Sequence, residues 1–257
     1  MTRNPRRIQL TPGYILHHRP YRDTSRILEV VTRDHGRLSL FARGVRGPKA
    51  KLASILQPFQ LLLLSWTGRG EAAQLTGAES AQASPPLPAS CLMAAFYLNE
   101  LILKLTTRHD PLAPLFDAYH ETLESLRHGA ALEPQLRVFE KRLLEAVGYG
   151  LDLGAESQTG KRIEPDEYYY FRPEQGLVAT VAEASDALAG HSLIGLANER
   201  LEGPRELEDS RRLLQAALAQ CLEGRPLATR AVAKACSRQG LQPARPLPVE
   251  SRTPDEL

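Results

Sequence analysis

The side chains best placed to do chemistry in this chain are cations. Between positions 33 and 51 stand Arg33, Arg37, Arg43, Arg46, Lys49 and Lys51, opposed there only by Asp34. If 37–43 is a strand, Arg37, Ser39, Phe41 and Arg43 share one face, because side chains alternate along extended backbone. Gly47 and Pro48 then put Arg46, Lys49 and Lys51 in an adjoining loop. Such cations displace counterions from a sugar-phosphate backbone, and Phe41 among them offers a face on which a base stacks. Tyr14, Tyr21 and Trp66 are further stacking candidates, with a barrel interior as the competing position for each. A second cluster, Arg225, Arg230, Lys234 and Arg238, contains no acid and reads as a solvated helix face or a second contact surface.

Catalytic patterns are weak by comparison. Gly68-Arg69-Gly70-Glu71 lacks the second glycine followed by Lys-Ser/Thr that holds a nucleotide's phosphates. His120 and Glu121 are adjacent, but a helical metal site needs a second histidine where Glu124 stands. No serine occupies a glycine-flanked nucleophile elbow, and the carboxylates scatter as surface charges. Cys91, Cys221 and Cys236 are too few and too dispersed for a disulfide framework or a four-ligand zinc site. The expectation is a protein without catalytic residues, cofactor or metal.

These groups must be positioned by two kinds of structure. The chain has 257 residues, a length suited to two cores. Its net charge of +2 hides an asymmetry: the first 80 residues hold 13 basic and 5 acidic side chains, a net of +8, and the rest carry −6. One half therefore seeks a polyanion. Strands are expected at 13–17, 25–32, 37–43 and 59–66, with 71–76 closing the set, and Asp34-His35-Gly36 forming a hairpin turn. Five short strands in about 70 residues suit a small closed barrel of the oligonucleotide-binding type. The prolines of Ser84-Pro85-Pro86-Leu87-Pro88 mark the junction, and after Pro88 the apolar period becomes helical. Helices are expected from Leu92 to Leu105, from Asp110-Pro111, from Glu133-Pro134, from Leu207 to Leu222 and from Leu227 to Cys236, with one hairpin at 168–180. The fold class is thus α+β, with a barrel at 1–82, a mainly helical domain with an inserted hairpin at 83–240 and a proline-rich, frayed tail at 241–257. The longest apolar run, 91–98, is far below the roughly 20 residues that cross a bilayer, and the basic N-terminus leads into no signal-peptide core. A soluble cytoplasmic protein is expected.

An ordered set of motifs resembles the bacterial RecO family of DNA repair and recombination mediators. It includes His18-Arg19-Pro20-Tyr21, Leu56-Gln57-Pro58-Phe59, Gly68-Arg69-Gly70-Glu71, Tyr97-Leu98-Asn99-Glu100-Leu101, Gly148-Tyr149-Gly150 and Gly224-Arg225-Pro226-Leu227. The resemblance runs from about Gln9 to Gln239. It implies a nucleic-acid-binding barrel joined to a helical domain, binding of single- and double-stranded DNA, strand annealing without nucleotide hydrolysis, and association with the nucleoid. It also implies work with RecR to load RecA onto DNA coated by single-strand binding protein. Many members carry four zinc-binding cysteines after the Gly-Tyr-Gly stretch, whereas residues 151–160 here contain no cysteine. The hairpin is therefore expected to hold by packing alone.

The family also docks the C-terminal tail of single-strand binding protein, acidic and ending in Phe, on its helical domain. By that resemblance Arg137, Lys141 and Val147 are the partner-binding residues, Arg137 taking the terminal carboxylate. Lys141 stands where an apolar residue is expected, and ordinary surface cations are the competing reading. A rival from another class, a nuclease with an oligonucleotide-binding docking domain, would need a cluster of Mg²⁺-binding acids.

Overall fold

The computed structural model describes residues 7–46, 52–68 and 73–232. Its first half is a closed barrel of β1 (Arg7–Tyr21), β2 (Ser25–Thr32), β3 (Gly36–Ala42), β4 (Leu62–Thr67) and β5 (Ala73–Ser80), in the spatial order β1-β2-β3-β5-β4. Closure depends on the length of β1, which pairs with β4 through 7–13 and with β2 through 13–21. A short parallel pairing, Leu40 opposite Ala73 and Phe41 opposite Gln74, seals the other side. Closing the sheet shortens the open edges of β3 and β5, and Arg37 of β3 bridges to Arg108 beyond the paired stretch. Fully buried Ile15, Leu28, Val30, Leu40, Leu62 and Leu64 fill the interior.

Two strands depart from the sequence reading. β1 begins six residues before the expected Gly13 despite Pro12. The pairing with β4 shifts between Ile8 and Thr11, where Leu10 takes a left-handed φ of 49°, and Pro12 follows in register opposite Leu63, just before the pairing with β2 begins at Gly13. Phe59 leaves its expected strand: φ of 67° turns it outward, and its ring meets Phe96 edge to face at 4.9 Å.

The second half contains α1 (Leu92–Leu105), α2 (Ala113–Arg127), α3 (Leu132–Ala146), a sheet of β6 (Tyr168–Arg172), β7 (Gly176–Thr180) and β8 (Leu188–Ala189), then α4 (Gly190–Ala197) and α5 (Pro204–Leu222). Residues 228–232 are helical again, and positions 233–257 lie outside the described residues. β8 and α4 were not legible in advance. The helix carries Gly190 and Gly195, poor helix formers. Gly190 is nevertheless required, since a Cβ there would lie 1.9 Å from the Glu164 carbonyl oxygen.

The outer side of β1 around Tyr14 and Leu16 is not solvated. Tyr14, Leu16, Val31 and Phe59 join Leu98, Tyr119 and Phe139 in one apolar core shared by barrel and helices. Polar groups pin the seam. The Asn99 amide donates to the Leu16 carbonyl at 2.8 Å, the Tyr119 hydroxyl donates to Asn99 Oδ1 at 2.5 Å, and the Tyr14 hydroxyl is hydrogen-bonded to His120 Nδ1 at 2.6 Å. α2 starts at Ala113 rather than at Asp110 because the preceding loop docks on the barrel. The His109 amide donates to the Arg37 carbonyl at 2.8 Å. At Gly36, φ is +65° and a Cβ would strike the Asp110 carbonyl, so the expected hairpin glycine also makes room for that loop. Among the described residues no helix is long and apolar enough to cross a membrane.

Candidate nucleic-acid interface and partner pocket

The six cations read from the sequence separate into two groups. Arg33 forms two bonds of 2.9 Å to the Asp117 carboxylate on α2, clamping barrel to helices. Arg37 donates to the Thr106 hydroxyl at 3.1 Å and to its carbonyl at 2.8 Å, and pairs with Glu29 at 3.4 Å. Glu29 also takes Arg108 at 2.6 Å. Burial lowers the Arg37 pKa, which Glu29 opposes. Both arginines thus spend their donors on the seam. Arg43 and Arg46 are exposed, and neither belongs to an ion pair among the described residues. Lys49 and Lys51 lie outside those residues.

Around Arg43 and Arg46 the barrel assembles an aromatic surface. Tyr21 ends β1 and Phe41 lies near the end of β3, and their rings meet at 5.1 Å and 90°. The Arg43 guanidinium lies 5.5 Å from the Phe41 centroid, and that of Arg22 lies 5.4 Å from Tyr21. Arg46 ties the two loops together: its amide donates to the Thr24 carbonyl at 3.0 Å and its guanidinium to the Arg22 carbonyl at 3.1 Å. Two partly exposed rings flanked by three arginines attract phosphates and present π faces to unstacked bases. Arg22 was missed because it sits in a turn with φ of 52°, a position the strand pattern does not mark.

Of the other stacking candidates, only Tyr21 is available. Tyr14 is completely buried in the seam, because β1 turns that side toward the helices. Trp66 is 4% exposed in the barrel core, edge-on to His35 at 5.3 Å.

Arg137 occupies a built cavity. It projects from α3, is 8% exposed, and places Nη2 3.2 Å from the fully buried Glu140 carboxylate. Its Nε and Nη1 have no partner. The Tyr97 hydroxyl donates to the same Glu140 oxygen at 2.6 Å, and burial pushes the Glu140 pKa up. Beside the guanidinium is a cavity of about 220 Å³ with Met93, Ala94, Tyr97 and Leu136 in its wall and Arg230 across it. The Arg230 guanidinium lies 5.8 Å from the Tyr97 centroid. Two buried donors without acceptors beside apolar walls fit an apolar group that carries a carboxylate.

Lys141 and Val147 do not join this cavity. Lys141 leans to Glu199 at 3.1 Å and Glu145 at 3.2 Å, while Val147 caps α3 and packs against the core. Arg142 reinforces the Glu199 contact at 2.6 Å and, with Lys141, holds the Glu199 carboxyl below its usual range. One turn of helix separates Arg137 from Lys141, but these acids draw the lysine aside. The sequence reading instead left Arg230 in a separate cluster. It reaches the cavity because Glu100 anchors residues 228–232 to α1, accepting from the Ala228 amide at 2.8 Å, the Thr229 amide at 2.9 Å and the Thr229 hydroxyl at 2.7 Å. Burial would raise the Glu100 pKa, but these bonds and Lys104 bring it below the usual range. Arg225 is spent on the carbonyls of Leu222, Cys221 and Lys104, and Lys234 and Arg238 lie outside the described residues.

The cysteine-free stretch at 151–160 lies against the hairpin through the Ser157 amide, which donates to the Leu177 carbonyl at 2.8 Å. Tyr169 and Leu177 anchor that hairpin in the shared core. Among the described residues no three His, Cys, Asp or Glu side chains are grouped to hold a metal ion.

Comparison with known proteins gives matches across both halves. Residues 7–83 match the family described as Recombination protein O N terminal, and residues 90–231 match Recombination protein O C terminal. A DNA repair protein RecO from Nitrosococcus oceani is 44% identical over 236 residues, covering 91% of this chain and 96% of the relative. One from Methylococcus capsulatus is 42% identical over 234 residues with the same coverage, and one from Burkholderia lata is 40% identical over 229 residues, covering 88% and 82%.

Proposed function

Because this chain belongs to the RecO family of DNA repair proteins, we propose that it acts as a recombination mediator that uses binding energy alone. The observation that carries the reading is the Tyr21–Phe41 pair flanked by Arg22, Arg43 and Arg46. This surface binds single- and double-stranded DNA through the backbone, Lys49 and Lys51 add to the neutralising charge, and Arg33 and Arg37 hold the barrel in place. Phosphates are neutralised while base edges stay free, so complementary strands pair on the protein. Backbone-led binding of this kind is largely indifferent to sequence.

The Arg137 cavity takes the terminal apolar residue and carboxylate of the single-strand binding protein tail. RecR is the partner with which the assembled complex loads RecA onto the covered strand. Annealing of complementary oligonucleotides by the purified protein, with and without EDTA, tests the central claim. Annealing that proceeds without nucleotide and is unchanged by EDTA is expected. No annealing, or strand scission abolished by EDTA, overturns the proposal in favour of a nuclease.

A further inference from the structure

One arginine of the barrel is turned away from its outer face. Arg26 of β2 stands opposite Pro20 of β1 and Ala42 of β3, and two residues on Leu28 stands opposite His18 and Leu40. Leu28, Leu40 and Ala42 belong to the barrel core. Strand alternation therefore turns Arg26 and His18 inward at the rim, while Tyr21, Ile27 and Phe41 turn outward. The two inward groups are diagonal neighbours across the β1–β2 pair, about 7–8 Å apart at Cα. Both residues are half-buried, and Arg26 Nη1 and His18 Nδ1 are buried without a hydrogen-bond partner. Among the described residues Arg26 belongs to no ion pair. The single carboxylate of β2, Glu29, lies on the outer face, where Arg37, Arg108 and Ser39 occupy it. Burial lowers the His18 pKa, and Arg26 and then His17 lower it further, so the ring feels the arginine as an uncompensated charge.

Packing alone does not account for this arginine. A half-buried guanidinium without an acceptor costs stability, and an apolar side chain of similar length in its place is often neutral or better. An anion arriving from outside supplies the acceptor, and the planar fork of arginine matches a phosphate. We propose that Arg26 and His18 form an inner phosphate site at the rim of the barrel, filled by the DNA strand that stacks on Tyr21 and Phe41. Arg26 is next in the chain to Ile27, the sheet partner of Phe41, and its own partner Ala42 is followed by Arg43. A strand crossing the rim at this point brings a backbone phosphate from the outer arginines to the inner pair. The inference rests on the reading that the Tyr21–Phe41 surface binds DNA, and it adds two residues from the opposite side of the same strands.

The test is anisotropy of a labelled single-stranded oligonucleotide across a salt series, with calorimetry of each full-length variant. Arg26→Met should bind about tenfold more weakly, as for one lost charged hydrogen bond, and its salt slope should flatten by about 0.7. Its Tm should equal or exceed the parent's, the reverse of what losing a structural arginine does. His18→Leu exchanges one neutral side chain for another and should weaken binding with the parent slope kept. Arg26→Lys retains the charge without the fork, so it should keep the slope while losing affinity, and it carries the test if Arg26→Met folds poorly. If Arg26→Met lowers Tm and binds DNA as the parent does, the arginine is structural and the site is wrong. If Arg26→Lys matches the parent in affinity as well as slope, the charge acts only at a distance, and the site is equally wrong. The Arg43→Ala/Arg46→Ala protein separates this site from the reading beneath it. If that protein binds weakly and Arg26→Met does not, only the inner site falls; if neither loses affinity, the DNA surface itself is misplaced. Inorganic phosphate at matched ionic strength should not compete with the oligonucleotide. Competition that disappears in Arg26→Met would make this a site for free phosphate and overturn its assignment to the strand.

Discussion

Replacing Arg43 and Arg46 together with alanine isolates the electrostatic part of DNA binding. Both side chains are exposed and outside any ion pair among the described residues, so their loss breaks no salt bridge, and the Arg46 amide keeps its bond to the Thr24 carbonyl when the guanidinium's bond to the Arg22 carbonyl is lost. With Arg33 and Arg37 engaged by Asp117 and Glu29, four cations of the original six remain to meet phosphates, and Arg22 makes a fifth. At about 0.7 counterions released per contact on a single strand, the parent should show, from these five contacts, a slope of log affinity against log salt of roughly −3.5. Two contacts fewer should bring the variant to roughly −2, with affinity falling for all sequences alike. Fluorescence anisotropy of a labelled oligonucleotide across a salt series reads both quantities. Arg33→Ala is the control: it removes a cation of equal charge from the seam and should leave the slope near the parent's. A double variant that keeps the parent slope, or an Arg33→Ala protein that flattens as much, would refute the division of the six cations argued here.

Other outcomes follow from single contacts. Tyr14→Phe should cost about 1 kcal/mol, a drop of about 2–4 °C in Tm by calorimetry, because it removes the hydroxyl bonded to His120 without emptying the core. Glu100 has a folded pKa below its ordinary value, so its hold on residues 228–232 is complete above the ordinary carboxylate range and is lost as pH falls through that lowered value. Glu100→Gln should therefore bind the acidic Phe-ending peptide more weakly than the parent at pH 7, with the difference vanishing in acid. A saturating oligonucleotide should change the parent's Kd for that peptide by less than about threefold in a titration at fixed salt, well under a typical allosteric coupling.

Legibility in the sequence tracked the range of the interaction that decides each feature. The barrel's alternating runs and the helical period after Pro88 are local, and the strands from Ser25 and the helices from Leu92 and Leu207 follow them closely. The start of α2 was displaced because a contact with Gly36, far away in the chain, holds Asp110 outside the helix. Charge clustering located Arg43 and Arg46 but could not separate them from Arg33 and Arg37, whose partners Asp117 and Thr106 belong to the other half. Arg137 and Arg230 lie 93 positions apart and meet only because Glu100 anchors the chain beyond α5. No spacing rule links them. Tyr14 shows the same limit from the other side, since alternation gives two faces to a strand but does not say that both are covered.

One strand connects the two surfaces. β1 carries Leu16 against the hollow that shares Met93 and Thr229 with the Arg137 cavity, and Tyr21 in the stacking pair, five residues apart, or about 16 Å at strand rise. Between them β1 is hydrogen-bonded to β2, and just before them Ile15 is locked in the barrel while Tyr14 is locked in the seam. A strand held by its ladder to β2 and rooted at Tyr14, Ile15 and Leu16 in two cores has no second arrangement of comparable energy, so it transmits little of one binding event to the other. The separation matters more than the connection. A mediator that exchanges one protein for another on a strand must hold the DNA while it still grips the tail of the protein being displaced. Two separate sites joined by a rigid strand permit both at once, and although both ligands are anionic, each site supplies its own arginines to offset that charge.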